Sequence, residues 1–227
     1  MCLPLIQSAR RIRRVICDLS FPVNTSVNDG IYKDFYVGEW VDLTYPSVDT
    51  LAASLKRVGT KALMFKKDLA KAYRQFPLDP GDIRLVGYIW KDQVFIDLAL
   101  VMGCRSAAHL CQRVTNSLNH MCPGFDLINY IDDLAGVSEE GQALTDYSHL
   151  TSMLVDLGLE ESVDKSIAPC TEMKFLRVHF NACAQTMSVT RSRLDEIHEL
   201  LDIWLKRRSA SKKLLESLIG KLQFMAK

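Results

Sequence analysis

Tyr130-Ile131-Asp132-Asp133 sets two adjacent carboxylates between apolar runs, Leu127-Ile128 before them and Leu134-Ala135-Gly136-Val137 after. That pattern predicts a β-hairpin with charge at its tip. Like charges side by side repel, and at a partly buried tip they are costly unless a cation neutralises them. The four residues alone fit a solvated Asp-Asp turn equally well. A third carboxylate shifts the balance. Asp68 ends another apolar run, Ala62-Leu63-Met64-Phe65, although Lys67 beside it offers a purely structural neutralising partner.

The 227 residues suffice for one full core, as one large domain or a domain with a subdomain. No apolar run approaches the ~18 residues of a membrane span. The start, Met1-Cys2-Leu3-Pro4 with a basic cluster soon after, lacks the order of a secretory signal, so an intracellular protein is expected. Seven cysteines form an odd set with no Cys-x-x-Cys pair, which argues against a zinc module and against a disulfide scaffold. Cys104, Cys111 and Cys122 lie among apolar residues and read as buried thiols.

A net charge of +1 does not advertise a nucleic-acid binder. The basic residues are nevertheless clustered, at Arg10 to Arg14, at Lys66-Lys67, and at Lys206 to Lys213. A neutral chain carries a basic groove if its acids lie elsewhere.

Residues 1–45 read as irregular. Ser47 caps a predicted helix with Val48, Leu51, Ala52, Leu55 and Val58 on one stripe, and Gly59 ends it. Ala62 to Leu69 is a predicted strand, and Leu85–Trp90 with Val94–Leu98 a predicted hairpin. A helix follows over Ala107 to Met121, with Leu110, Cys111, Val114, Leu118 and Met121 inward. After the Tyr130 hairpin comes a helix from about Ala143 to Leu157, then a hairpin of Phe175–Phe180 with Thr186–Val189. Two amphipathic helices close the chain, with stripes lacking an obvious partner. Strands that come mainly as hairpins, mixed with helices, give an α+β class with an antiparallel sheet.

If the Asp68 strand lies beside the Tyr130 hairpin in one sheet, Asp68, Asp132 and Asp133 converge. Oxygen donors without His or Cys suit hard cations, chiefly Mg²⁺, with Mn²⁺ as a substitute. Two such ions ~3.5–4 Å apart activate an attacking oxygen and stabilise a leaving one in phosphoryl transfer. Arg14 and Lys71 are candidates to meet phosphates. Tyr73 offers an aromatic face to a sugar, or serves as a core residue at the strand exit.

These segments resemble the reverse transcriptases, and within them the DIRS-like retroelements that encode a tyrosine recombinase. Phe65-Lys66-Lys67-Asp68-Leu69-Ala70-Lys71-Ala72-Tyr73-Arg74-Gln75-Phe76-Pro77-Leu78 resembles the segment with the family's first catalytic Asp. Tyr130-Ile131-Asp132-Asp133 resembles its Tyr-x-Asp-Asp box. Gly103-Cys104-Arg105-Ser106-Ala107-Ala108 through Gln112-Arg113 resembles the loop and helix that touch template and nucleotide. Asp18-Leu19-Ser20-Phe21-Pro22 and Ser26 to Ile31 resemble the fingers segment.

The resemblance implies a right-hand polymerase fold with an antiparallel palm sheet packed on helices. Partial fingers would span 1–60, the palm 61–189 (with a second fingers part at about 75–105), and the start of a thumb or connection 190–227. It implies RNA-directed DNA synthesis from deoxynucleoside triphosphates on an RNA or DNA template with a primer. Two Mg²⁺ ions would be held by Asp68, Asp132, Asp133 and the backbone of Leu69. Arg14, Lys71, Ala72, Met102 and Gln112 would contact the nucleotide, and Tyr73 would exclude a 2′-hydroxyl. Tyr130, Phe175, Leu176, Arg177 and Val178 would contact primer and template.

RNase H and recombinase regions are expected in the parent polyprotein, and the chain is expected to begin within the fingers and stop short of a complete thumb. Three positions depart from the family pattern: Met102-Gly103-Cys104 for aromatic-Gly-Leu, Arg177 for Gly, and Asn24 where Gly is common. A catalytically inactive remnant that keeps the fold and binds template–primer is the second reading. A structural or partner-binding domain with incidental acids is the third.

Overall fold

The computed structural model describes residues 4–9, 12–32, 34–36 and 38–225, with backbone alone for 4–9, 12–15, 36, 224 and 225. It opens on a hairpin of β1 (Pro4–Ala9) and β2 (Ile12–Cys17), where irregular chain was expected. Ile12, Val15 and Ile16 favour extended backbone, and the arginines between them obscure that preference. A small hairpin, β3 (Phe35–Tyr36) and β4 (Glu39–Trp40), follows. Helix α1 (Val48–Val58) starts where Ser47 Oγ accepts from Asp49 N and ends at Gly59, whose φ is +91°. Strand β5 (Ala62–Asp68) leads to the hairpin of β6 (Gly87–Trp90) and β7 (Gln93–Ile96).

Helix α2 (Ala107–Met121) precedes β8 (Asp126–Tyr130) and β9 (Asp133–Glu139). Helix α3 (Ala143–Asp156) leads to β10 (Ile167–Cys170). Strands β11 (Glu172–Phe175), β12 (Val178–Asn181) and β13 (Thr186–Val189) form a three-stranded antiparallel sheet. The expected strand over Phe175–Phe180 is thus divided: Phe175 ends one strand and Val178 begins the next. Helices α4 (Arg191–Leu205) and α5 (Lys212–Met225) finish the chain with Ile203, Leu205, Leu215 and Ile219 largely exposed. Among the described residues, no helix is long and apolar enough to cross a membrane.

The central sheet is antiparallel throughout, in the order β10-β5-β9-β8. Side chains alternate across it with period two. Ala62, Met64, Ile128, Ala135 and Val137 face α1 and the three-stranded sheet, meeting Leu51, Leu55, Phe175 and Phe180. Phe65, Leu127 and Leu134 face α2 and α3, meeting Cys111, Leu118, Leu150 and Leu154. Both faces are covered, so the middles of β5 and β9 carry consecutive apolar residues, and most of the charged residues fall towards the strand ends.

Gly136 lets the β5–β9 pair close. The Phe65 ring lies across β9 at its Cα partner Gly136, and a Cβ there would stand 2.0 Å from the ring. The same ring packs on Phe125 and Tyr147, at centroid distances of 5.4 and 5.6 Å. Gly136→Ala is therefore expected to cost about 2 kcal/mol by overpacking, lowering Tm by about 4–8 °C for a chain of this size. Gly141→Ala, where a Cβ meets nothing within 4 Å, should leave Tm unchanged in the same thermal denaturation series.

Candidate active site

Antiparallel register sets Asp68, the last residue of β5, opposite Asp133, the first of β9. Tyr130 also pairs with Asp133, so Ile131 and Asp132 form a two-residue loop at the tip of the β8–β9 hairpin. Leu69 N donates to Asp132 O at 3.0 Å, fastening that tip to the end of β5. Asp68 and the adjacent pair Asp132-Asp133, far apart in sequence, thus stand at one end of the central sheet.

Ile131 has φ +55°, an unfavourable conformation for a β-branched residue. Polar residues of α2 hold it. Ile131 N donates to Gln112 Oε1 at 2.7 Å, and Gln112 Nε2 donates to Asn129 O at 3.0 Å and to Asn116 Oδ1 at 2.8 Å. Asn129 Nδ2 donates to Thr115 Oγ1 at 2.9 Å, and Asn119 Nδ2 donates to Asn129 Oδ1 at 2.9 Å. Gln112, expected at the nucleotide, is wholly buried, and its amide supports the hairpin tip. The sequence signal was available as Gln112, Thr115, Asn116 and Asn119, a polar stripe at helical spacing. Met121, expected inward on this helix, is 45% exposed.

Basic groups close two of the acids. Lys165 Nζ lies 2.6 Å from Asp68 Oδ1, and Lys66 Nζ lies 2.5 Å from Asp133 Oδ1. Lys67 does not neutralise Asp68: it points to the opposite face, buried, with Nζ 2.8 Å from both Glu161 oxygens and 3.9 Å above the Tyr147 ring. Asp132 has no ion pair among the described residues. Burial, followed by the charges of Asp133 and Asp68, pushes its carboxyl above the ordinary range, while Lys165 opposes that shift.

Among the described residues, no three His, Cys, Asp or Glu side chains are gathered as a ready cage for a metal ion. The donor chemistry still fits a hard cation. The side-chain donors are carboxylate oxygens, and a partly buried acid beside two like charges gains from any positive charge brought to it.

The other candidates divide. Lys71 is exposed at φ +48°, leading into a 3₁₀ turn over Ala72–Gln75, in which Ala72 is buried. Tyr73 is half-buried. Burial raises its hydroxyl pKa first, and the Cys111 and Asp132 charges add to that. Met102 is 39% exposed, and Gly103 beside it, at φ +114°, packs so closely on β2 that a Cβ would stand 2.1 Å from Cys17 O. Asn28 secures the same loop, donating to Gly103 O at 2.9 Å and accepting from Arg105 N at 2.8 Å. Arg14 lies on β2, with its side chain outside the described residues.

Tyr130 packs against Tyr45, at a centroid distance of 5.9 Å, on the wall of a groove of about 830 Å³ that Leu176, Arg177, Met187 and Arg193 also line. Tyr45 was hidden in the stretch read as irregular. Phe175 is buried in the core and does not line the groove, whereas the turn Leu176-Arg177 and the mostly buried Val178 do.

Both turn residues have positive φ, +46° and +67°, in a two-residue loop of the kind that favours Asn-Gly. Asn24, the other departure at a Gly position, also has positive φ, +70°, which Asn tolerates and Arg does not. Arg177→Gly should therefore stabilise the chain by about 1 kcal/mol, after the entropic cost of Gly. That corresponds to a Tm rise of about 2–4 °C in thermal denaturation.

No protein-family model and no curated protein sequence matches the chain. Solved structures do. The foamy viral protease–reverse transcriptase (dRH form) with double-stranded DNA is 17% identical at a TM-score of 0.71, over 98% of this chain and 35% of that one. The foamy viral protease–reverse transcriptase with an RNA/DNA hybrid is 17% identical at a TM-score of 0.65, over 93% and 26%. The native prototype foamy virus protease–reverse transcriptase is 16% identical at 0.56, over 93% and 31%. The chain spans about a third of the length of the first of these. At this identity the likeness is one of fold: the chain folds like part of a protease–reverse transcriptase.

Proposed function

We propose that the chain is the fingers-and-palm part of an RNA-directed DNA polymerase, from a DIRS-like retrotransposon, that adds deoxynucleotides to a primer 3′-hydroxyl. The observation that carries this reading is the β5–β9 register, which sets Asp68 across from Asp133 with Asp132 at the adjoining tip. The fold shared with proteins solved on double-stranded DNA and on an RNA/DNA hybrid supports it.

In this reading Asp68, Asp132, Asp133 and the backbone of Leu69 hold two Mg²⁺ ions, which supply activation of the 3′-hydroxyl and charge stabilisation on the leaving oxygen. The chain's own residues do the rest. Lys71 and the backbone of the Ala72 turn meet the triphosphate, with Arg14 from β2. Tyr73 covers the sugar and disfavours a 2′-hydroxyl. Tyr130 and the Leu176-Arg177 turn hold the primer strand along the groove. Contacts to backbone and helix shape, without base readout, suit an enzyme that must copy any sequence.

The lysines that close Asp68 and Asp133 favour a second reading, a chain that binds template–primer without extending it. Primer extension on an RNA template separates the two. The expected outcome is Mg²⁺-dependent product, reduced by at least about a hundredfold in Asp132→Asn. Salt-sensitive duplex binding without extension selects the second reading. Neither binding nor extension overturns both.

A further inference from the structure

The two lysines that close the carboxylates are placed by separate parts of the fold. Lys66 lies on β5 two residues before Asp68, hence on the same face, and its Cα partner Ala135 is two residues after Asp133. Lys165 ends a 3₁₀ turn, Val163–Lys165, in the segment after α3. That segment is tied down at several points. Ser162 N donates to Asp68 O at 2.7 Å, and Glu160 N donates to Gln75 Oε1 at 2.7 Å. Glu161 receives the buried Lys67 and, at 2.5 Å, the Ser166 hydroxyl. Burying an ammonium costs several kcal/mol unless it is well paired, so the Lys67–Glu161 contact strongly constrains where the segment, and Lys165 with it, can sit.

Three carboxylates and two ammonium groups leave one net negative charge, too little to retain two divalent ions while both lysines stay in place. We propose that Lys66 and Lys165 are built-in counter-ions of the carboxylate site, so that a divalent cation enters by displacing them. The inference rests on the metal reading proposed above. Cation loading is then an exchange, and it has two consequences of opposite sign. The lysines stabilise the cation-free protein, because they relieve repulsion among Asp68, Asp132 and Asp133. They also weaken cation affinity, because each ion must first break an ammonium–carboxylate contact.

The 227-residue chain, as wild type, Lys66→Met, Lys165→Met and the double variant, is titrated with Mg²⁺ and separately with Mn²⁺. Binding is followed by calorimetry and by Tm. The work is done at about 0.5 M salt so that long-range fields are screened and only short contacts register. Lys165 is half exposed, so its removal is expected to tighten cation binding about threefold. Lys66 is 17% exposed against a carboxylate 25% exposed, and its removal should tighten binding about tenfold. Without divalent cation the variants should melt below wild type, and the gap should close at saturation. Lys165 is on a surface turn, so Lys165→Met alone decides the matter if Lys66→Met fails to fold.

Cation binding in the variants that is unchanged or weaker than in a wild type that does bind overturns the counter-ion role and leaves the metal reading standing. Binding by none of the proteins overturns both. Binding by the variants alone supports the exchange in its strongest form.

Discussion

Register between β5 and β9 is the constraint on which the rest depends. A slip of one residue would turn Asp133 and Ala135 toward α2 and α3, and would separate Asp133 from Asp68. Register in an antiparallel pair is set by which side chains must be buried, and here both faces are buried. One contact is especially selective. The Phe65 ring needs a residue without a Cβ opposite it, and Gly136 is the only glycine on β9. Packing in the middle of the strand thereby fixes charge placement at its end.

The hairpin tip is held from the other side by hydrogen bonds. Gln112 spends its amide on the backbone of Asn129 and Ile131, and Asn129 returns contacts to Thr115 and Asn116. Cys111 Sγ adds a contact to Ile131 O at 3.5 Å, and burial pushes this thiol up to about 12, so it stays a neutral donor. A network with this degree of mutual satisfaction can hold Ile131 in a conformation it would not choose. The tip is rigid where the charge sits, and the strain is confined to one residue.

Much of this was legible in the sequence. Ser47 and Gly59 mark α1, apolar spacing marks α2, and the runs around Asp68 and Asp132 mark the strands that carry them. What stayed hidden depends on distance or on mixed signals. Lys67 has an acid next to it in sequence, yet takes Glu161, because period two turns adjacent residues to opposite faces. The β1–β2 hairpin was masked by its arginines. Strand β10 carries Pro169 and pairs irregularly along a sheet edge, where no alternation announces it. Gln112 was read for its chemistry, whereas the helix that carries it is buried on that face.

The Asp68–Lys165 contact joins residues 97 apart in sequence, and the Asn28 contacts with the 103–105 loop span 75 and 77. Closing such long loops is slow compared with forming hairpins and helices. The β8–β9 hairpin, with two of its three acids, therefore has the means to form early, well before the segment that bears Lys165 can dock. In a chain growing from its N-terminus, the acids emerge about 30 residues before that lysine, a delay of seconds at ordinary synthesis rates. Over that interval Lys66 of β5, already made, is the one of the two lysines able to meet these acids, which makes order of assembly, as much as final geometry, a property of this site.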